Sequence, residues 1–274
     1  MQDPALLERK LGARLAAVRA ARDEVRADAG RLPVVFPGLP RKVGKDAVGG
    51  GQLRCGDATI DLDAWRQCDL GAALLLLQCA PPDQALWDLY EHGDIEERAM
   101  LLRALHLLPL GQSTVRLLTE VQRTNMVLHV EAACCDGDLV ARAARAALPG
   151  FGQPEQNRLL LKLAFLDLPL RRVFGAERLA NAELSRMLQD LATEREAAGR
   201  TVWRDTDRLL GRAPVPGTTA RILGSLEHGD DGRRLAAAEA LAALDRKELL
   251  QYARDRLPRE PRADVKALLQ RIVG

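Results

Sequence analysis

A turn built on glycine and aspartate recurs along this chain at nearly constant spacing, and that spacing limits the folds open to it. Glu91-His92-Gly93-Asp94 is echoed as Glu227-His228-Gly229-Asp230, and Gly137-Asp138 lies between them. Each aspartate is followed four residues later by an arginine: Arg98, Arg142 and Arg234. Asn181, with Arg186 after it, fills the gap in the series. In each case a helical pattern precedes the turn and another follows. Glycine can adopt the left-handed backbone that ends a helix, and Asp or Asn can accept from the free N–H groups that begin the next. Starts at 94, 138, 181 and 230 have a period of about 45 residues, the range of HEAT-like helix pairs.

The expected fold is therefore all-α, a HEAT-like helical-repeat (α-solenoid) stack of antiparallel helix pairs. Composition agrees: 47% of residues are apolar but only 3% aromatic, with Ala and Leu dominating, the residues best suited to close-packed helices. The repeat covers residues 63–274. Residues 1–62 lie outside it and are expected to form an N-terminal helix and a basic Pro/Gly-rich loop that pack with the repeats as one unit. Asp3-Pro4 reads as the cap and first turn of a helix reaching about Ala29, with Leu7, Leu11, Leu15 and Val18 on one face. From Arg31 to Gln52 periodicity stops, with Pro33, Pro37 and Pro40 in the first part and Gly44, Gly49, Gly50 and Gly51 in the second. A small hairpin is expected where Leu53–Cys55 and Thr59–Leu62 flank Gly56-Asp57.

Charge and motif narrow the function classes. Forty basic and thirty-eight acidic residues are interleaved, for a formal charge of +2, unlike the strongly basic domain a nucleic-acid groove requires. Five cysteines without a CxxC spacing read as reduced thiols in a cytoplasmic protein, and no Cys/His set has metal-ligand spacing. The longest uncharged stretch, Leu70–Pro82, is too short to span a bilayer. Any membrane contact is thus expected to be peripheral or through a partner. There is no HExxH, no nucleophile elbow and no DDxxD-type magnesium motif, and no cofactor is implied.

Several polar residues stand out against this background. Gly38 to Asp46 superficially resembles a phosphate loop, but five residues rather than four separate its glycines and Asp46 stands where Ser or Thr would hold magnesium. Arg41, Lys42 and Lys45 then either grip an anion or simply face solvent. Lys162 interrupts the run Leu159–Leu166 of a helix apolar on nearly every face, which should lie centrally. Such a lysine either reaches out along its stem, pairs with a carboxylate, or titrates low enough for proton transfer. Glu120 and Arg123 share a helix face, Asn125 is placed to cap the next helix, and Gln156 and Asn157 open the helix that carries Lys162. Asn181, Glu183, Arg186 and Asp190 can cap and pair along one helix. The four histidines are dispersed and read as structural.

In these same segments the chain resembles the EboA family of metabolite-traffic proteins. The resemblance is carried by Pro40-Arg41-Lys42-Val43-Gly44-Lys45, Glu120 through Asn125, Gln156-Asn157 with Leu160 and Lys162, Asn181 through Leu188, and more weakly Glu194 through Arg200. It implies a bacterial gene-cluster protein of secondary metabolism that works beside a UbiA-like membrane prenyltransferase and sugar-phosphate-type enzymes. It also makes Arg41, Lys45, Glu120, Arg123, Asn125, Asn157, Lys162 and Arg186 candidates for a shared ligand-binding site. Two functions follow as expectations. One is a non-catalytic scaffold or carrier that binds other proteins of its gene cluster, a small metabolite, or both. The other is an enzyme acting on a small anionic, phosphorylated or prenylated metabolite, with Arg41 and Lys45 clamping the anion and Lys162 or Glu120 moving the proton.

Overall fold

The computed structural model describes residues 4–274, so the reading of Asp3 as a cap lies outside the described residues. The chain is predominantly helical and divides into two compact units. One runs to Leu159 and includes Arg171–Gly175; the other comprises Leu160–Leu170 and Ala176–Gly274.

In the first unit the expected long N-terminal helix is two, α1 (Pro4–Leu11) and α2 (Leu15–Ala27), separated by a 3-10 turn at Gly12, whose φ of +53° interrupts the α-ladder. The segment expected to be irregular also contains two short helices, α3 (Leu32–Val35) and α4 (Leu39–Val43). Pro33 and Pro40 occupy their first turns, where no intrahelical N–H bond is required, so these prolines start helices rather than break them. The hairpin is present. β1 (Gln52–Cys55) pairs antiparallel with β2 (Ala58–Asp61) across Gly56-Asp57, with Gln52 opposite Asp61 and Cys55 opposite Ala58.

The helices that follow alternate between two rows. α5 (Gln67–Cys79), α7 (Ile95–Ala104) and α9 (Val127–Cys134) pack successively on one another, while α6 (Asp83–His92) packs on α7 and on α8 (Gln112–Arg123), and α8 on α9. Contact between alternate helices is what stacked helix pairs produce. α5 is buried continuously from Gln67 to Leu76, with α1, α2 and α4 against it as well as α7. Its one buried carboxylate, Asp69, is fully enclosed but compensated: Arg66 lies 2.9 Å away and Arg103 3.3 Å, and Asp69 also accepts from Arg66 N. α10 (Leu139–Arg145) completes this series. α11 (Gln153–Phe165) begins in the first unit and ends in the second.

The second unit repeats the scheme. α13 (Thr206–Leu210), α15 (Asp231–Leu244) and α17 (Ala263–Val273) form one row; α12 (Ala182–Ala197) packs on α13, α14 (Thr218–Leu226) on α13 and α15, and α16 (Leu250–Arg256) on α17.

The repeated turn is realised in three of its four copies as a cap. Asp94 accepts from Glu97 N, Asn181 from Leu184 N and Asp230 from Arg233 N, at 2.8, 3.0 and 2.8 Å. The glycine acts differently from expectation: Gly93 has φ −70°, and what excludes a side chain is Leu89 O, 2.6 Å from where a Cβ would stand. The arginine has a common job in the Gly-Asp copies. Arg98 donates to Glu91 O, Arg142 to His106 O, and Arg234 to both His228 O and Gly229 O, at 2.8–2.9 Å. Arg98 and Arg234 thus satisfy carbonyls at or near the end of the preceding helix, whereas Arg142 reaches back past α9 and α8 to a carbonyl just beyond the end of α7.

Asp138 is the exception. Its carboxylate accepts from Thr59 N of β2 at 3.0 Å and caps no helix, while Asp138 N donates to Thr59 O. Asp61 N bonds to Asp136 O, Asp136 N to Arg172 O and Phe174 N to Gly137 O, so residues 136–138 run between the hairpin and residues 172–174.

Candidate functional site

The residues singled out in the sequence have definite places. In the first unit Arg41 is exposed on α4, and Lys45 is exposed in the loop after it. That loop is fastened along its length: Cys68 N donates to Gly44 O, Gln67 N to Asp46 O, Val48 N to Trp65 O and Gly49 N to Leu62 O, and Asp46 pairs with Arg14. Lys45 and Arg66 both act on Glu96, the Arg66 hydrogen bond being the main reason its carboxyl sits below the usual range. Glu120 and Arg123 form an i,i+3 ion pair of 2.7 Å on α8. The cap position before α9 falls on Met126, whose N–H donates to Thr124 Oγ1, and so not on Asn125. Asn157 is buried.

In the second unit Arg186 pairs with Glu183 at 3.0 Å on an exposed face of α12. Lys162 belongs to a cluster at the end of α11. Although Leu159, Leu160, Leu163 and Ala164 are buried as the apolar run requires, Phe165 is 51% exposed, and two cations face its ring: Lys162 Nζ at 5.5 Å and the Arg195 guanidinium at 5.9 Å from the centroid. Both distances are within cation–π range. Partial burial draws the Lys162 ammonium below the usual lysine value.

Arg195 leads from this cluster to a cavity. One of its terminal nitrogens donates to Phe165 O at 2.6 Å and the other to Thr201 O at 3.0 Å. Thr201 lines a cavity of about 380 Å³ with Asp167, Glu196, Arg200, Arg204, His228, Asp230 and Arg233 among its walls, large enough for a small metabolite.

The local sequence explains how these side chains are aimed. Between α12 and α13, Val202 and Trp203 are buried and so are Asp205, Thr206 and Asp207. Trp203 Nε1 donates to Leu168 O at 2.9 Å, and Asp205 Oδ2 accepts from Leu170 N at 2.8 Å. With these anchors turned inward, Arg200, Thr201 and Arg204 are left outward at the cavity. Arg204 lies across the first turn of α15, so close that a Cβ on Gly232 would stand 2.5 Å from its Cδ and Nε. Neither Arg200 nor Arg204 makes an ion pair among the described residues.

The remaining wall is already committed. Arg233 donates to Glu196 at 3.5 Å and to Ser225 Oγ at 3.2 Å, and Arg221 pairs with Glu196 at 3.0 Å. Asp230 caps α15; the Arg233 N–H bond, with the charge of Arg204, holds its carboxyl below the usual value despite partial desolvation. His228 Nδ1 accepts from Asp230 N at 2.9 Å, which fixes the tautomer that leaves Nε2–H as a donor. Behind the wall lies Asp207, 4% exposed and hydrogen-bonded to Ser225, its pKa raised to about 6 by burial. A pocket with two guanidiniums outside any ion pair and an imidazole, beside carboxylates that are themselves capped or paired in part, can hold a small molecule through an anionic group.

Of the sequence candidates, Lys162 alone belongs to the cluster that leads to this cavity. Arg200 fell within a stretch noted for family resemblance, but Arg204, His228, Arg233 and Asp207 were not identified as site residues. The available signal was the pattern Gly199-Arg200-Thr201-Val202-Trp203-Arg204-Asp205, in which an apolar pair is flanked by two arginines. A family model described as metabolite traffic protein EboA matches residues 57–211. No curated protein and no solved structure matches the chain.

Proposed function

The chain belongs to the EboA family, whose description gives it a metabolite-traffic role, and from that premise we propose that it is a helical carrier. It binds a small anionic metabolite in the cavity of the second unit and passes it between other proteins of its gene cluster, a UbiA-like membrane prenyltransferase among them. The observation that supports this reading is the pair Arg200 and Arg204. In a chain whose arginines are mostly tied to carboxylates or carbonyls, these two line a cavity without making an ion pair among the described residues, although carboxylates stand in the same wall. An entering carboxylate or phosphate would supply the partner, forming charge-assisted hydrogen bonds with Arg200, Arg204 and His228. Phe165, between Lys162 and Arg195, would meet the apolar part of the same molecule.

Phenyl phosphate is a suitable probe because it joins an anion to a ring. Titration calorimetry should show saturable binding of phenyl phosphate and none of phenol. Replacing Arg200 and Arg204 together by Ala should weaken binding at least tenfold, whereas Arg41→Ala should leave it unchanged. Binding that survives the double substitution would remove the support for this site. Recovery of the probe intact after long incubation agrees with carriage, and its hydrolysis would turn the reading toward an enzyme.

A further inference from the structure

A second concave surface lies at the far end of the same unit and has a different chemistry. It is a groove of about 410 Å³ between the end of α15, residues 245–250 and α17. Its floor is apolar, formed by Leu241, Leu249, Leu250, Leu268 and Ile272, and is continuous with the core that Leu241 and Leu249 share with Val265 and Leu269. Leu250, Leu268 and Ile272 are only half-buried, so the floor is open to an occupant. At the edge stand Arg246, Lys247 and Arg271, all exposed and none in an ion pair among the described residues; Asp245 is the one acidic residue of the lining.

Two helices, α15 and α17, end at this groove, and cations beside helix C-termini offset the partial negative charge there. That charge amounts to roughly half a unit per helix, so three cations leave the rim positive even after Asp245 is counted. An apolar floor with a positive rim is complementary to one kind of small molecule. We propose that the groove binds a free, single-chain anionic amphiphile, its hydrocarbon chain lying on the leucine floor and its carboxylate or phosphate among Arg246, Lys247 and Arg271. This site is separate in residues and in chemistry from the polar cavity: one asks for charge and a ring, the other for a chain and a head group.

The test uses the full chain and decanoate, well below its critical micelle concentration, with decylammonium as the partner of opposite charge. Calorimetry should give saturable decanoate binding at least tenfold tighter than that of decylammonium. The variant R246A/K247A/R271A should lose at least tenfold for decanoate and nothing for decylammonium, and Leu268→Gln should weaken both. All four positions are exposed or half-buried, and circular dichroism checks the fold. Should the triple variant unfold, Lys247→Glu alone should still reduce decanoate affinity severalfold. The proposal is overturned if the two amphiphiles bind equally, if the triple variant keeps decanoate affinity and only loses stability, or if the protein binds anionic vesicles but not monomeric decanoate. Loss of decanoate binding in R200A/R204A, with the triple variant unaffected, would also overturn it and place the amphiphile in the polar cavity. Failure of the carrier reading would leave the decanoate result untouched, because the two sets of substitutions do not overlap.

Discussion

Arg142 Nε and Nη2 donate to the two carboxylate oxygens of Asp57, at 3.1 and 3.0 Å, joining α10 to the turn of the hairpin 85 residues earlier. The pair is asymmetric, since the Arg142 side chain is 2% exposed and that of Asp57 61%. Desolvation alone would raise the Asp57 pKa, but the charge and hydrogen bonds of Arg142 outweigh it and leave the carboxyl below its usual value. On the inner side the same guanidinium donates to His106 O at 2.8 Å.

The two partners should therefore differ in what they contribute. Removing Asp57 opens the outer side of the guanidinium to water, so Asp57→Ala should cost only about 1 kcal/mol, as near-surface pairs do. Arg142→Ala removes buried packing and strands a buried carbonyl, and about 3 kcal/mol is expected. Urea denaturation of both variants decides it. Equal losses would mean that the ion pair, and not the inner contact, holds α10 in place.

Gly137 leaves no room for a side chain: a Cβ would stand 2.3 Å from His106 Nδ1 and 2.8 Å from its Cε1, and that ring is buried edge-on to Trp65. Gly137→Ala should cost at least the ~1–3 kcal/mol usual for overpacking. The extra cost of Gly137→Ala should fall sharply in a His106→Ala background, which removes the obstacle. An unchanged cost there would locate the strain in the backbone instead.

These contacts separate what was legible in the sequence from what was not. The caps at Asp94, Asn181 and Asp230 depend on bonds to residues three positions on, and spacing alone conveys them. Asp138 has the same sequence context, yet it serves the hairpin, because residues 136–138 are held between β2 and residues 172–174. Pairing between segments so far apart in sequence leaves no local signal. The hairpin itself was legible because its turn is local. Phe165 shows the limit of periodicity: a helix apolar on nearly every face was expected to be enclosed, but its last turn emerges and presents the ring. The cavity was illegible for a related reason, since Arg200, Arg204, His228 and Arg233 come from one loop and one repeat turn and each looks like an ordinary surface residue where it stands.

Thiol chemistry offers a direct check on burial. All five cysteines are thiols; Cys55, Cys68, Cys134 and Cys135 are buried and Cys79 is half-buried. Burial pushes the thiols up, to about 11 for Cys68 and about 12 for Cys135, and also raises Cys79. At pH 8 a disulfide reagent should modify a single thiol slowly in the native protein and five in denaturant, and Cys79→Ser should abolish the native reaction. Rapid modification of two or more thiols would contradict the enclosed core of the first unit.

Two buried groups should give stability opposite pH dependences in one window. Complete burial lowers the His106 pKa to about 4. The unfolded imidazole, near 6.5, binds its proton first, so the His106 contribution is present above about 6.5 and lost as pH falls toward 4, by about 3 kcal/mol. Asp207 has the reverse sign: its folded pKa is raised to about 6 by burial, so the folded state holds its proton longer than the unfolded one. Its contribution is largest below the unfolded value of about 4 and lost as pH rises through 6, by a similar amount, about 3 kcal/mol. Between pH 4.5 and 6 the two terms oppose each other in the wild type. His106→Gln should expose the Asp207 slope, with stability increasing on acidification. Asp207→Asn keeps a group that can bond to Ser225 and should expose the His106 slope, with stability decreasing. Urea midpoints from pH 4.5 to 7 measure both. If the two variants ran parallel to the wild type, neither group would be titrating in the folded protein as its burial requires.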